Sequence, residues 1–394
     1  ATDAQFDLLL TIDGGGETSA DTLRISDRAT LADAGFATVV DVETLELAYT
    51  GGTGTQSVTL ADANAGVTGI ATLDADASIV AVTVNASGLT SALAIFTGSA
   101  GDSITLGAAA SNVTSGSGND TVNVNGTTIA STINGGGDTD TLNVTSASAN
   151  MNAGTITAIE LVTLSVSGTT FTANGLALTI TGSGGADIIT LGGAVQTVNA
   201  GAGGDDIYLG FAGQTANGEG DDDRVFATGA QLVGATIDGG AHGTGDTLLI
   251  TDTSANMNDG TITAIEFVTL SASGTTLIAN DLALTINGSG GADIITTGNA
   301  VQTVNAGAGN DSITLGAAGQ TINGQADDDT VHATGAQLSG ATLDGGGHSV
   351  GDTLDITSTS ANMTLGTISN FEFVTLSASG TTFIADGDTT LAIT

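Results

Sequence analysis

The chain of 394 residues has no cysteine, no proline and no tryptophan, and its only basic residues are Arg24, Arg28 and Arg224. Each absence removes a class of protein. Without cysteine there are no disulfide staples and no thiolate metal sites. Without lysine the chain cannot make the phosphate contacts that dominate nucleic-acid affinity, and anionic head groups would repel it. Nucleic acid and membrane insertion are therefore not expected. No run of about 18 apolar residues offers a membrane-crossing helix, and the first residues lack the basic-then-apolar order of a signal peptide. Catalysis also lacks material: three scattered histidines and serines embedded in polar strands form no constellation outside the repeats. No catalytic residue is assigned, and an enzyme is not expected.

What is present is acid, glycine and small aliphatic residues. Forty-two acidic residues give a formal charge of −39. A compact fold with that charge repels itself, so the charge is either spread along an elongated object or neutralised by cations. Hydrophobic residues make up 40% of the chain and aromatics 3%, which implies a small aliphatic core rather than disorder. Proline would remove ladder hydrogen bonds from stacked strands, and Thr, Val and Ile, which suit pleated stacking, dominate the runs between the 60 glycines.

Two periods organise the chain. Met151, Met257 and Met363 recur at intervals of 106 inside near-identical text, such as "SANMNAGTITAIELVTL" from Ser148 and "SANMNDGTITAIEFVTL" from Ser254. Such self-similarity marks stacked units that bury a core only against their neighbours. Within it, Asp102 and Asp120, then Asp187, Asp205 and Asp223, then Asp293, Asp311 and Asp329 follow at intervals of 18. Two residues after each stands an aliphatic residue (Ile104, Val122, Ile189, Ile207, Val225, Ile295, Ile313, Val331), which is strand periodicity. The expected fold is all-β, a right-handed parallel β-solenoid of about 18 residues per coil nested in 106-residue repeats. Residues 1–97 read as a diverged N-terminal segment and 98–394 as the repetitive region with a partial last copy, together one continuous elongated unit.

The stretches before the aspartates, "SGSGNDTVN" from Ser115, "AGAGNDSIT" from Ala306 and "GSGGADIIT" from Gly182 and Gly288, resemble the repeats-in-toxin (RTX) nonapeptide G-G-x-G-x-D-x-U-x. "GEGDDDRVF" and "GQADDDTVH" depart from it, with Asp221 and Asp327 at the fourth-position glycine, as does Asp138 in "GGGDTDTLN". The resemblance implies a β-roll with Ca2+ between loops of successive coils. Carried over by position, Asp102, Asp120 and Asp140 form one file of metal ligands, Asp187, Asp205, Asp223 and Asp246 a second, and Asp293, Asp311, Asp329 and Asp352 a third, with Gly118, Gly203 and Gly309 turning loop carbonyls inward. The family pattern has a loop every nine residues; here it comes once per 18. The other corner reads "LGGAVQ" or "LGAAGQ", so calcium is expected along one edge and tight apolar turns along the other.

Three further features stay open. Glu43, Glu160, Glu266 and Glu372 follow the loop aspartates by 20 to 22 residues and read equally as calcium ligands, N–H acceptors or outward strand residues. His242 and His348 occupy equivalent inserted loops and read as solvated, with a zinc pair or a catalytic role as the other readings. Thr-x-Asn triplets at 132–134, 197–199, 215–217, 303–305 and 321–323 would stack into polar ladders. Composition and loops together resemble calcium-dependent bacterial surface-layer (S-layer) proteins and large RTX adhesins. That resemblance implies a secreted protein, extracellular or on the bacterial cell surface, which self-assembles as a homo-oligomer in a lattice or filament and has cell-surface polysaccharide as a further partner. An adhesin extender or ice-binding repeat is the alternative, and a β-helix enzyme acting on acidic polysaccharide, leaning on Arg224, is a distant third.

Overall fold

The computed structural model describes residues 12–394 apart from 14, 16–19, 27–29, 33–35, 37–38, 52, 63–68, 108, 127 and 386–391. The first copy of the inserted loop, 16–19, and most of the C-terminal stretch "DGDTTLAIT" lie outside the described residues. The fold is a β-solenoid of about 17 turns, about 20 residues each, with little helix. Its strands are short because each spans one wall of a coil. In Thr121–Val124, Val122 and Val124 point inward and are buried, while Thr121 and Asn123 face outward. Parallel pairing then stacks like on like: Val122 lies against Ile104 on one side and Leu142 on the other. Fully burying one such side chain contributes about 1.5–3 kcal/mol, so a narrow interior of Val, Ile and Leu repeated coil after coil is the core.

The chain forms two compact units, residues 1–199 and 200–394. In the first, one sheet runs through Ala81–Gly88, Ser103–Thr105, Thr121–Val124, Thr141–Val144, Leu161–Leu164 and Thr179–Thr181. A second contains Thr72–Asp74, Ala94–Phe96, Asn112–Thr114, Thr132–Asn134 and Thr155–Thr157. The described strands before residue 98 join this stacking, as where Thr83 pairs with Ser103 and Ile95 with Val113. In the second unit, one sheet runs through Asp206–Tyr208, Arg224–Ala227, Thr247–Ile250, Phe267–Leu270, Thr285–Asn287, Thr303–Ala308 and Thr321–Ala326.

The 106-residue repeat has a structural meaning that counting residues does not convey. Most coils have two strands, but the coil that carries each methionine has three. In the second unit Thr247–Ile250 is followed by Ser254–Asn256 and Thr261–Thr263 before Phe267–Leu270 returns to the sheet of Thr247–Ile250. Thr261–Thr263 is the last strand of its sheet, and Ser254–Asn256 opens a new one that continues through Thr276–Ile278, Ile294–Thr296 and Ser312–Thr314. The same exchange occurs at Ser148–Asn150 and Thr155–Thr157 in the first unit. Each repeat therefore advances to the next wall, so Phe267–Leu270 and its copy Phe373–Leu376 sit in different sheets.

Met151, Met257 and Met363 make this possible. Each opens a single 3₁₀ turn at the extra corner, capped by the preceding asparagine; Asn256 Oδ1 accepts the Asn258 amide at 3.0 Å. The methionine side chains are fully buried at this corner, where a flexible thioether adapts readily to the packing of three strands. Coil length varies around the expected 18. Plain coils keep 18, as where Ile294 pairs with Ser312 and Ser312 with Thr330, but Thr247 pairs with Phe267, 20 on, and Thr330 with Thr353, 23 on.

Met257→Ala removes most of a buried side chain from a corner whose shape depends on it. The expected loss is about 2–5 kcal/mol, read as a lowered urea midpoint. Ile278→Ala, on the exposed side of the neighbouring strand, should stay within about 0.5 kcal/mol of the parent.

Candidate functional site

Each Gly-rich stretch is a loop at a coil corner that delivers one aspartate to the start of the next strand. The loop is wide, and the aspartate's own N–H needs an acceptor there. The aspartate one coil later supplies it. In the first unit Asp102 Oδ1 accepts the Val82 amide at 2.7 Å, Asp120 Oδ1 the Asp102 amide at 2.7 Å, and Asp140 Oδ1 the Asp120 amide at 2.8 Å. The series ends where Glu160 Oε2 accepts the Asp140 amide at 2.9 Å, while the Glu160 amide donates to the Asp140 carbonyl at 3.2 Å.

The second unit repeats the arrangement twice. Asp223 Oδ1 accepts from Asp205, Asp246 Oδ1 from Asp223, and Glu266 Oε2 closes the file on the Asp246 amide at 2.8 Å. Asp293, Asp311, Asp329 and Asp352 are joined in the same way, with Glu372 Oε2 closing at 2.8 Å. Glu43 does this for Asp21 at 2.7 Å. Of the three readings of the glutamates, N–H acceptor is the one found.

The sequence-predicted files thus exist, but they do not keep to one edge. In the second unit the residues that precede the strands of the sheet of Thr247–Ile250 are, in order, Asp205, Asp223, Asp246, Glu266, Leu284, Gln302 and Gln320. Asp293 to Asp352 precede the strands of the next sheet. One corner passes from aspartates through glutamate to glutamines, and the aspartates resume on the adjoining sheet.

The glutamines correct the expectation of apolar turns. Gln196, Gln214, Gln302 and Gln320 are buried at the second kind of corner. Gln302 Oε1 accepts the Gly298 amide at 2.9 Å while its Nε2 donates to the Asn280 and Leu282 carbonyls of the previous coil, both at 2.8 Å. Gln196 makes the corresponding set with Gly192, Asn174 and Leu176. A neutral amide, donor and acceptor in one group, staples these coils.

A carboxylate has no donor, so the other oxygen of the aspartates is the chemically open point. Oδ2 of Asp120, Asp140, Asp223, Asp246, Asp311, Asp329 and Asp352 is buried without a hydrogen-bond partner among the described residues. The point where a Cβ on Gly218 would sit is 2.2 Å from Asp223 Oδ2 and 2.3 Å from the Gly239 carbonyl oxygen of the next coil; at Gly324 the values are 2.3 Å to Asp329 Oδ2 and 2.2 Å to the Gly345 oxygen. An unpartnered carboxylate oxygen and a carbonyl oxygen thus flank each of these glycines. Asp187 and Asp293 differ. Ser183 and Ser289, standing where the motif has its second glycine, donate amide and hydroxyl to them, the amides at 2.7 Å to Oδ2, so these two carboxylates are satisfied by protein.

The departures from the glycine motif leave the loop conformation intact. Gly118, Gly203 and Gly309 have φ of 103°, 104° and 109°, and Asp138, Asp221 and Asp327 adopt the same left-handed region at 77°, 74° and 78°. Their carboxylates help to hold it: Asp138 Oδ2 accepts the Gly118 amide, Asp221 Oδ2 that of Gly203 and Asp327 Oδ2 that of Gly309, at 3.0, 3.0 and 3.1 Å. In the triplet Asp221–Asp222–Asp223, then, each residue has its own task. Asp222 Oδ1 clamps the inserted loop one coil on through the amides of Gly243, Thr244 and Gly245 at 2.7–3.0 Å, and Asp328 does the same for Ser349, Val350 and Gly351.

No family model matches the chain, and neither the curated proteins nor the solved structures give a match. Arg224 forks onto Asp206 through two 2.7 Å bonds and lies 5.7 Å from the Phe226 ring centre, so it stands within a ladder of paired side chains. His332 bridges Asp355 and Ser312.

Burial, reinforced by the carboxylates one coil away, pushes Asp120, Asp223, Asp311 and Asp329 up to about 7. Backbone amides hold Asp222 and Asp328 down at about 2. A raised carboxyl favours folding below its unfolded value of 3.8 and loses that contribution as pH climbs to 7; a lowered one contributes above 3.8 and loses it as pH falls to 2. With divalent cations chelated, the thermal midpoint should peak near pH 4 and fall toward pH 8. Melting curves followed by circular dichroism test this, and a midpoint that rises from pH 4 to 8 would contradict it.

Proposed function

We propose that the chain is a structural, extracellular β-solenoid whose aspartate files bind Ca2+ and which assembles with copies of itself into a bacterial surface layer or filament. The observation that carries the reading is the row of buried Oδ2 atoms that lack a donor, with a loop carbonyl oxygen beside those of Asp223 and Asp329. Such a set, all oxygen and anionic, suits a hard cation that takes carboxylate and carbonyl ligands, and it suits a soft metal poorly. Cations along the files also answer the charge of −39, which otherwise destabilises a compact state. Asp120, Asp140, Asp223, Asp311 and Asp329 are the ligands this reading favours; Asp187 and Asp293 take no direct part, and Asp246 and Asp352 stand beside histidines at the ends of their files.

Self-assembly rests on the acidic, repetitive composition and its resemblance to surface-layer proteins. An adhesin extender or ice-binding repeat is the second reading, supported by the outward asparagine ladder in which Asn323 donates to Asn305 at 2.8 Å and Asn305 to Asn287 at 3.0 Å. Sheets or filaments seen by electron microscopy in millimolar calcium favour the first reading, and particles that remain monomeric favour the second.

At neutral pH, millimolar Ca2+ should raise the thermal midpoint over that in chelator by about 10 °C or more, given about 2.7 kcal/mol per site at a hundredfold excess over its dissociation constant. Asp311→Asn should keep the hydrogen bond to Asp293 through its carbonyl oxygen and lose part of the calcium response. Identical melting curves with calcium and with chelator would sink the metal reading.

A further inference from the structure

The two inserted loops clamped by Asp222 and Asp328 carry histidines to the ends of the aspartate files. His348 Nδ1 stands 3.1 Å from Glu372 Oε2 and 3.8 Å from Asp352 Oδ2, and one ligand atom from each of the three residues lies within 4.8 Å of the others. Asp352 is fully buried and its Oδ2 has no hydrogen-bond partner among the described residues. A shielded, unsatisfied carboxylate oxygen thus faces the same point as an imidazole nitrogen and a second carboxylate.

We propose that His348, Asp352 and Glu372 form a binding site for a divalent transition-metal cation of the zinc class, different in donor type from the all-oxygen corners elsewhere in the file. Imidazole nitrogen ranks borderline metals above calcium, which prefers oxygen alone. Two carboxylates with a neutral imidazole balance a dication, and three protein ligands leave one position open, as in zinc sites that keep a water. Half of the set is preorganised: Glu372 is held by the Asp352 amide at 2.8 Å, and Asp328 holds the loop at Ser349, Val350 and Gly351. The ion needs only a modest movement of the half-exposed histidine.

The repeat provides a copy and a control. His242, Asp246 and Glu266 keep the same spacing; His242 Nε2 lies 3.3 Å from Glu266 Oε1, and Asp246 is fully buried with an equally unpartnered Oδ2. The file that ends at Asp140 and Glu160 follows a loop two residues shorter that carries no histidine, so it should hold no such ion.

The test titrates the full chain with Co2+, whose visible absorption reports nitrogen and oxygen coordination, and then displaces it with Zn2+. Millimolar calcium is present throughout, and the calcium effect on melting is recorded separately, so the two proposals fail separately. Two ions should bind, with His348→Ala removing one, His242→Ala the other and His332→Ala neither, all variants keeping the parental circular dichroism. A single ion lost on His348→Ala supports the site and overturns its copy. Binding unchanged by His348→Ala, or no saturable binding by the parent chain, overturns the proposal.

Discussion

The structure depends on one interaction, the hydrogen bond from the backbone amide of each corner aspartate to the carboxylate of the residue one coil later. Along the walls, backbone pairs with backbone and asks nothing special of the side chains. At a wide glycine corner that pairing lapses for one amide, and a short acceptor side chain from the next coil replaces it. Because the bond points from one coil to the next, every aspartate both donates and receives, and the last one needs a receiver that is not itself a loop aspartate. Glu160, Glu266 and Glu372 fill that place, and their amides return a bond to the same aspartate.

Satisfying amides in this way brings carboxylates together. Neighbouring coils are about 4.8 Å apart, and two unit charges at that distance repel by roughly 3–4 kcal/mol at an effective dielectric near 20. The glutamine corner meets a similar backbone requirement without charge, because an amide side chain also brings donors to the carbonyls of the previous coil. The chain uses both solutions, so the aspartates do more than hold a corner: they leave one acidic oxygen per coil that a proton or a cation can join to the carbonyl beside it.

Much of this was legible in the sequence. The alternation after each aspartate predicts an inward Ile104, Val122 or Ile313, and all three are fully buried. The spacing of 18 predicts the plain coils, and the Gly-Asp pattern locates the files. The rest was hidden for physical reasons. Gln302 and Gln320 look like turn surface because a side chain that staples two coils has no local signature. Glu266 could not be read because its partner, the Asp246 amide, is a backbone group that a sequence does not display. The motif already set Asp221 and Asp223 apart, but Asp222 between them carried no signal for its clamp on the loop amides of Gly243, Thr244 and Gly245. The third strand around Met257 was masked by its shortness, although the 106-residue period, which is not a multiple of 18, already carried the signal.

That period also explains why the files are short. If every coil had two walls, each aspartate would stack on the last along one edge, and the repulsion would accumulate without relief. The three-strand coil interrupts this by opening a new wall, so the next aspartates start on a different sheet while the old corner continues in uncharged leucine and glutamine. In the second unit the file from Asp293 stops at Glu372 after four aspartates. The buried methionine, the glutamate and the change of wall all fall within the same coil, and together they set how much negative charge one edge of the solenoid carries before the next edge takes over.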